Sequence, residues 1–376
     1  MKGQLAPSIW ESLKWNQPWD LIVVGGGITG VNTAIHFKRA NPKSSVLIIE
    51  ALPSGNVAST KNAGFACFGS IGELREDLES IGEDGVKDLL HFRYEGLQLL
   101  KDTIEPKLFD YRPCGGFELF DKEDDTFLQE NLGAIDEMND LIKDALGLEG
   151  TFMVKQHGIA SFALSSTGIF NRYEGALNPI KMMDAFYKVV SNLRIELMRG
   201  LQVVEILPKE HQVRLANDQV LRYNQLALCT NGMVKNFLPK LDIQTAPNMV
   251  AYAKLPEGLV WPSCYHMDRG YTYFRAVEDK YVILGGGRHI LEDKLSDDEA
   301  SDLLIQQYLN QRLHQLLGSE NFKVEAYWKG YLGVGSERFP ILESIGDDIY
   351  CGVRLGGMGV AIGSYLGRSL AEMMKA

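Results

Sequence analysis

The segment Leu21-Ile22-Val23-Val24-Gly25-Gly26-Gly27-Ile28-Thr29-Gly30 constrains this chain more than any other. A short apolar run, built like a strand buried on both faces, leads into GxGxxG. Ile28 to Ala40 then follows with helical spacing, stopped by Asn41-Pro42-Lys43. Val46 to Ile49 reads as a second strand, with Glu50 at its carboxyl end, twenty positions past Gly30. This is a complete βαβ unit of the dinucleotide-binding kind. Gly25 permits the tight turn, Gly27 lets a pyrophosphate approach, and Gly30 lets helix pack close on strand. The N–H groups of Ile28 and Thr29 then open a helix end that attracts phosphate. Glu50 is placed to accept the hydroxyls of an adenosine ribose. No Arg directly follows it, which argues against a 2′-phosphate.

Composition narrows the setting. The chain has 376 residues, a length that suggests two domains, and a formal net charge of -11. No stripe of Lys or Arg stands out, so nucleic acid is not an expected partner. No 18-residue apolar run occurs and no apolar leader precedes Asp20, so no membrane span is expected and a cytoplasmic location is. Cys67, Cys114, Cys229, Cys264 and Cys351 form no CxxC pair, and the histidines form no HxxxH or HExxH. Free thiols and no metal site are therefore expected. No GxSxG elbow is present.

Other elements are readable at lower definition. Leu52 to Gly72 is rich in small and polar residues. Helical patterns run from about Ile81 to Leu108, from Glu123 to Leu146, from Pro179 to Ser191 and from Asp297 to Leu317. Arg112 to Phe120 resembles a strand pair, and Pro247 to Leu284 is β-rich. The fold class expected is α/β, α+β overall.

The fingerprint and three further segments together separate one dinucleotide from another. Ser59-Thr60-Lys61-Asn62-Ala63-Gly64 closely follows the second strand. Leu226 to Cys229 runs into Thr230-Asn231-Gly232, and Gly356-Gly357-Met358-Gly359-Val360 opens the last helix. In this order they resemble the D-amino-acid-oxidase-like superfamily of FAD enzymes, which includes glycine, sarcosine and γ-glutamylputrescine oxidases. The resemblance covers nearly the whole chain, including Gly175-Ala176-Leu177-Asn178-Pro179 before a helix and Trp328-Lys329-Gly330 before the final strand. It implies an FAD-binding Rossmann-like domain of discontinuous chain (1–90, 150–235 and 325–376) and a β-sheet plus helix substrate domain (91–149 and 236–324). It implies FAD against Gly25, Gly27, Ile28, Thr29, Gly30, Glu50, Ser59 to Gly64, Val204, Thr230 to Gly232 and Gly356 to Val360. It also implies oxidation of a small amine or amino acid by hydride transfer to flavin N5, hydrolysis of the imine, and reoxidation by oxygen or another acceptor.

The chain also departs from the family. Met358 stands where amine oxidases carry His in a Ser-Gly-His-Gly stretch. Leu332 stands where glycine-oxidase-like members carry a carboxylate-binding Arg, two residues past Trp-x-Gly. No Cys occupies the segment where relatives attach FAD, so the flavin is expected to be noncovalent. The substrate-side candidates are Arg354, Arg275 and Tyr273, with Arg288, Tyr252 and His266 behind them. The rival readings are a dehydrogenase of a 2-hydroxy acid or polyol phosphate, and a noncatalytic flavin-binding protein. A second dinucleotide unit is not expected. Gly357 to Gly363 has no strand and acid after it, and Ile290 spoils Gly285-Gly286-Gly287.

Overall fold

The computed structural model of the protein describes residues 8–54, 58–318 and 322–374. The start of the N-terminal stretch and the middle of the small-residue segment lie outside the described residues.

Two eight-stranded sheets carry the chain. In the first, Trp19–Val24 lies at the centre, parallel to Val46–Glu50 on one side and to Val220–Leu228 on the other. Leu21, Ile22, Val23 and all of Val46–Glu50 are buried, as an apolar run covered on both faces must be. Glu196–Arg199 extends one side and Ile349–Val353 the other, both in parallel. Ile341–Gly346 closes the far edge antiparallel. Gln212–Leu215 pairs antiparallel with the start of Val220–Leu228, and Val203–Leu207 pairs antiparallel with Gln212–Leu215.

Two close helix contacts cover one face of this sheet. The fingerprint helix (Ile28–Ala40) packs on the last helix (Gly359–Met373), where a Cβ on Gly367 would stand 2.6 Å from the Thr29 carbonyl. The long helix (Ile71–Thr103) packs on the same last helix, with Gly96 against the Ala361 carbonyl. Small residues at these crossings bring three backbones together.

The second sheet runs in the order Val324–Val334, Gln244–Lys254, Tyr281–Gly286, Thr272–Val277, Cys264–Met267, Gly116–Glu118, Thr167–Asn171, Phe152–Gln156. Its far face is covered by Glu299–Leu317, whose Ile305, Leu309, Leu313 and Leu316 fall at helical spacing and are all buried.

Three expectations change here. Residues 152–156, 167–171 and 324–334 were expected with the FAD domain, but they are strands of the second sheet. Only 116–118 of the expected strand pair is a strand; before it lie a 3-10 turn (Pro106–Phe109) and a bridge from Arg112 to Ala176. The pattern from Glu123 divides into Asp125–Gly133 and Ile135–Leu146, with Ala134 between them serving as cap to both.

Candidate active site

The fingerprint glycines have unequal surroundings. Gly25 has φ +107, and a Cβ there would stand 2.6 Å from the Cys229 carbonyl; on Gly30 it would stand 1.9 Å from the Gly25 carbonyl. Both positions are fixed by protein packing. A Cβ on Gly27 would meet only Ser59 Oγ, at 3.1 Å, and otherwise faces open space. Gly27 cannot cap the helix itself, and Ser59 Oγ accepts from the Ile28 N–H at 3.0 Å. The Thr29 hydroxyl is buried without a partner among the described residues. Glu50 accepts from Gly26 N–H at 2.8 Å and from Leu52 N–H at 2.9 Å, which fixes its carboxylate at the end of the second strand. These residues fit a dinucleotide.

A cavity of about 430 Å³ opens between this region and the second sheet. Lys61, Asn62 and Ala63 form part of one wall. Gly356, Gly357, Met358 and Val360 form another. Nothing lies within 4 Å of a Cβ built on Gly357, and the last helix has no side-chain cap. Its free N–H groups and positive end therefore face a space wide enough for a ring system. Gly359 does not line this cavity; its Cβ would approach only Leu355.

The opposite wall draws His266, Tyr273 and Val250 from one transverse row of the second sheet. Glu118, His266, Tyr273, Gly285, Val250 and Trp328 are successive cross-strand partners. Alternation sends the row's side chains to one face. Tyr273 lies over Gly285, where a Cβ would be 2.4 Å from its ring, so that glycine makes room for the tyrosine. Tyr273 Oη accepts from Asn248 Nδ2 at 2.6 Å, and burial pushes its pKa up to about 12. Phe65 meets both His266 and Tyr273 edge-on, at 5.2 and 5.4 Å between centroids. Trp328 Nε1 donates to the Lys61 carbonyl at 2.8 Å, tying the sheet to the small-residue segment.

A buried acid-base cluster includes the His266 end of this row. His266 Nε2 lies 2.9 Å from Glu174 Oε2, and Cys67 completes a group within 4.8 Å. Burial opposes a charge on His266, but the Glu174 and Glu118 carboxylates outweigh it and raise the imidazole pKa. Burial carries Glu118 up to about 7, against the pull of the Gly72 N–H it accepts at 2.7 Å. Burial, Glu174 and Glu73 hold Cys67 as a thiol. Glu174, Glu118 and Cys67 were not anticipated: no spacing in the sequence joins 67, 118, 174 and 266, and only the sheet register does.

Two expected substrate arginines are already engaged. Arg275 donates to the carbonyls of Ala63 at 2.6 Å, Leu177 at 2.9 Å and Ala276 at 3.3 Å. It holds the Asn62-Ala63-Gly64 turn from behind. Arg354 donates to Asp242 and Glu337 carboxylates at 2.8 and 2.9 Å, and to the Phe339 and Asp242 carbonyls. Its guanidinium braces the turn before Gly356. Of the three expected catalytic residues, only Tyr273 presents its side chain to the cavity uncommitted to such bracing.

The cofactor candidates divide in the same way. Asn231 Oδ1 accepts from the N–H groups of Arg354 and Leu355, and a Cβ on Gly232 would strike Thr245. Both residues therefore join protein to protein, whereas the Thr230 hydroxyl is buried without a partner among the described residues. Gly64, with φ +72, packs against Leu177 and Arg275. Thr60 lies in the short helix Ala58–Lys61. Val204 is 48% exposed and does not line the cavity, although the Leu201 N–H nearby reaches the Glu50 carbonyl.

Residues 20–373 match the FAD dependent oxidoreductase (DAO) family. The chain belongs to that family. It is therefore an FAD-dependent enzyme of the oxidoreductase class. It is 23% identical to gamma-glutamylputrescine oxidoreductase of Escherichia coli (strain K12), over 95% of this chain and 83% of that protein. Among solved structures, iminodiacetate oxidase from Chelativorans sp. BNC1 superposes with a TM-score of 0.69 at 18% identity, covering 95% of this chain and 96% of the other. Glycine oxidase from Bacillus cereus ATCC 14579 gives 0.66 at 11%, covering 94% of each. Among the described residues no helix is long and apolar enough to cross a membrane.

Proposed function

We propose that this protein oxidises a small amine or amino acid in the cavity between the two sheets. The observation that carries the reading is the pairing of walls: an open, glycine-lined helix end on one side and the His266–Tyr273 row on the other. The names of the relatives, which act on amines and amino acids, support the same class. When bound, FAD supplies the hydride acceptor for the carbon bearing nitrogen.

The chain's own residues hold and orient. Glu50 would take the ribose, the open side of Gly27 and the Thr29 hydroxyl the pyrophosphate, and the N–H groups after Gly357 the electron-rich edge of the flavin. Tyr273 stays protonated at neutral pH and, braced by Asn248, is fixed as a hydroxyl on the substrate side. Phe65, Val250 and Leu332 give that side an apolar surface, which excludes water from the reacting carbon. Cys67 reaches the cavity but is held as a thiol and so is a poor nucleophile, which supports noncovalent FAD.

The test is product analysis with purified, flavin-loaded protein and a dye acceptor. An amine or amino acid should yield a carbonyl product and released ammonia or amine in equal amounts, and acid precipitation should leave the flavin in the supernatant. Dye reduction by 2-hydroxy acids alone would overturn the substrate class. Flavin retained on washed precipitate would overturn the noncovalent mode.

A further inference from the structure

Arg288 follows the strand Tyr281–Gly286 and opens a one-turn 3-10 helix, Arg288–Ile290. Its side chain lines the cavity. Most other cations there are already occupied. Arg93 donates to the Phe68 carbonyl and pairs with Glu73 at 2.9 Å. Arg338 pairs with Asp77 at 3.0 Å and Glu76 at 3.6 Å, and Arg354 with Asp242 and Glu337. Arg269 lies over the Phe127 ring and Lys294 over the Tyr271 ring. Lys61 has no ion pair among the described residues, but it stands on the cofactor-side wall.

Arg288 differs from all of these. Among the described residues its guanidinium makes no hydrogen bond and no ion pair, and its Nε is buried without an acceptor. The charged group felt beside the Tyr271 and Tyr273 hydroxyls is another cation, Arg338. Burial lowers the Arg288 pKa, yet a guanidinium remains charged at neutral pH. A half-buried positive charge with no counter-charge is still costly, and proteins normally pair it. Here the described residues offer no partner, and the side chain lines the cavity.

We infer that the substrate carries a carboxylate and that Arg288 receives it, as the specificity-determining residue of the site. The planar fork of a guanidinium matches a carboxylate with two parallel hydrogen bonds. Arg288 borders the same strand as Gly285, over which Tyr273 lies, so the carboxylate would be anchored beside the Tyr273 hydroxyl. The inference rests on the cavity being the substrate site.

The test compares carboxylates with their neutral amides. The oxidised holoenzyme is titrated with acetate, propionate and benzoate, and with acetamide, propionamide and benzamide, while the flavin absorption spectrum is followed. The wild type should bind at least one carboxylate roughly tenfold or more tighter than its amide. Arg288→Gln should remove that preference, weakening the carboxylate roughly tenfold to a hundredfold while the amide changes little. Arg288→Lys should recover part of it, and flavin content should match the wild type in both variants. Anaerobic flavin reduction by amino acids should fall by a similar factor in Arg288→Gln, while reduction by amino-acid amides holds within about threefold. A wild type that distinguishes no carboxylate from its amide overturns the inference. So does a preference that survives Arg288→Gln. If no amine or amino acid reduces the wild-type flavin, the substrate-class reading fails, and the spectral titration still decides the role of Arg288.

Discussion

The two sheets approach the cavity with different chemistry. The first offers backbone: glycine turns, helix N–H groups and one acid, Glu50, placed within a stretch of about thirty residues. The second offers side chains drawn from distant stretches, since Glu118, His266, Tyr273 and Val250 meet only through strand pairing. A backbone-built site depends on where a Cβ is forbidden. A side-chain-built site depends on which groups are left without partners. Substitutions should therefore fail in different ways on the two sides.

The largest effects should come from the glycines. Gly30→Val places side-chain atoms where the Gly25 carbonyl stands and should prevent the βαβ unit from closing, giving little soluble protein. Gly27→Val meets only Ser59 and open space, so the chain should fold with a near-normal circular dichroism spectrum and retain almost no flavin. Normal flavin content in Gly27→Val would break the contrast between packing glycines and ligand glycines.

Arg354→Ala should come next. It removes a cation that joins two carboxylates and two carbonyls around the turn before Gly356. Asp242 and Glu337 are more than half exposed, which limits the loss to about 1–3 kcal/mol. The melting temperature should fall, while KM of the flavin-loaded enzyme should stay within about twofold. A large rise in KM with unchanged stability would return Arg354 to the substrate side.

The contrast between Arg354 and Arg288 marks the limit of sequence reading here. The βαβ unit was legible because its determinants are local: an apolar run, three glycines and an acid at fixed spacing. The four small-residue segments were legible as a set for the same reason. The β-rich stretch of the second sheet was legible too, but the side-chain cluster on it was not, because Glu174 and His266 are 92 positions apart in the chain. Whether an arginine is free depends on carbonyls and carboxylates brought from elsewhere. Arg354 and Arg275 stood next to recognisable segments, and the fold uses them to brace those segments. Strands 152–156, 167–171 and 324–334 carry no mark of which sheet they will join, so their place in the second sheet was not legible either.

Glu118→Gln sharpens the same comparison through pH. Burial raises the Glu118 pKa to about 7, so the folded state favours its neutral form. That contribution to stability is complete below the ordinary glutamate range and is lost as pH rises through about 7. The substituted amide keeps an oxygen to accept from the Gly72 N–H but carries no charge at any pH. The variant should lie closest to the wild type near pH 5 and exceed it near pH 8, by about 1–3 kcal/mol in denaturant unfolding. A difference that does not change with pH would show that Glu118 titrates normally. Tyr273→Phe should have the smallest effect on stability, about 1 kcal/mol or less, from loss of the Asn248 hydrogen bond. Flavin content should be unchanged, and slower flavin reduction should place Tyr273 on the substrate side.

The account stands or falls on what reduces the flavin. Under anaerobic conditions, the absorbance of the oxidised holoenzyme is followed after mixing with a panel of amines and amino acids, with 2-hydroxy acids, and with NADH and NADPH. We predict bleaching by at least one amine or amino acid within seconds, and no comparable bleaching by either nicotinamide. Rapid reduction by NADH or NADPH, with none by any amine or amino acid, would contradict the central claim.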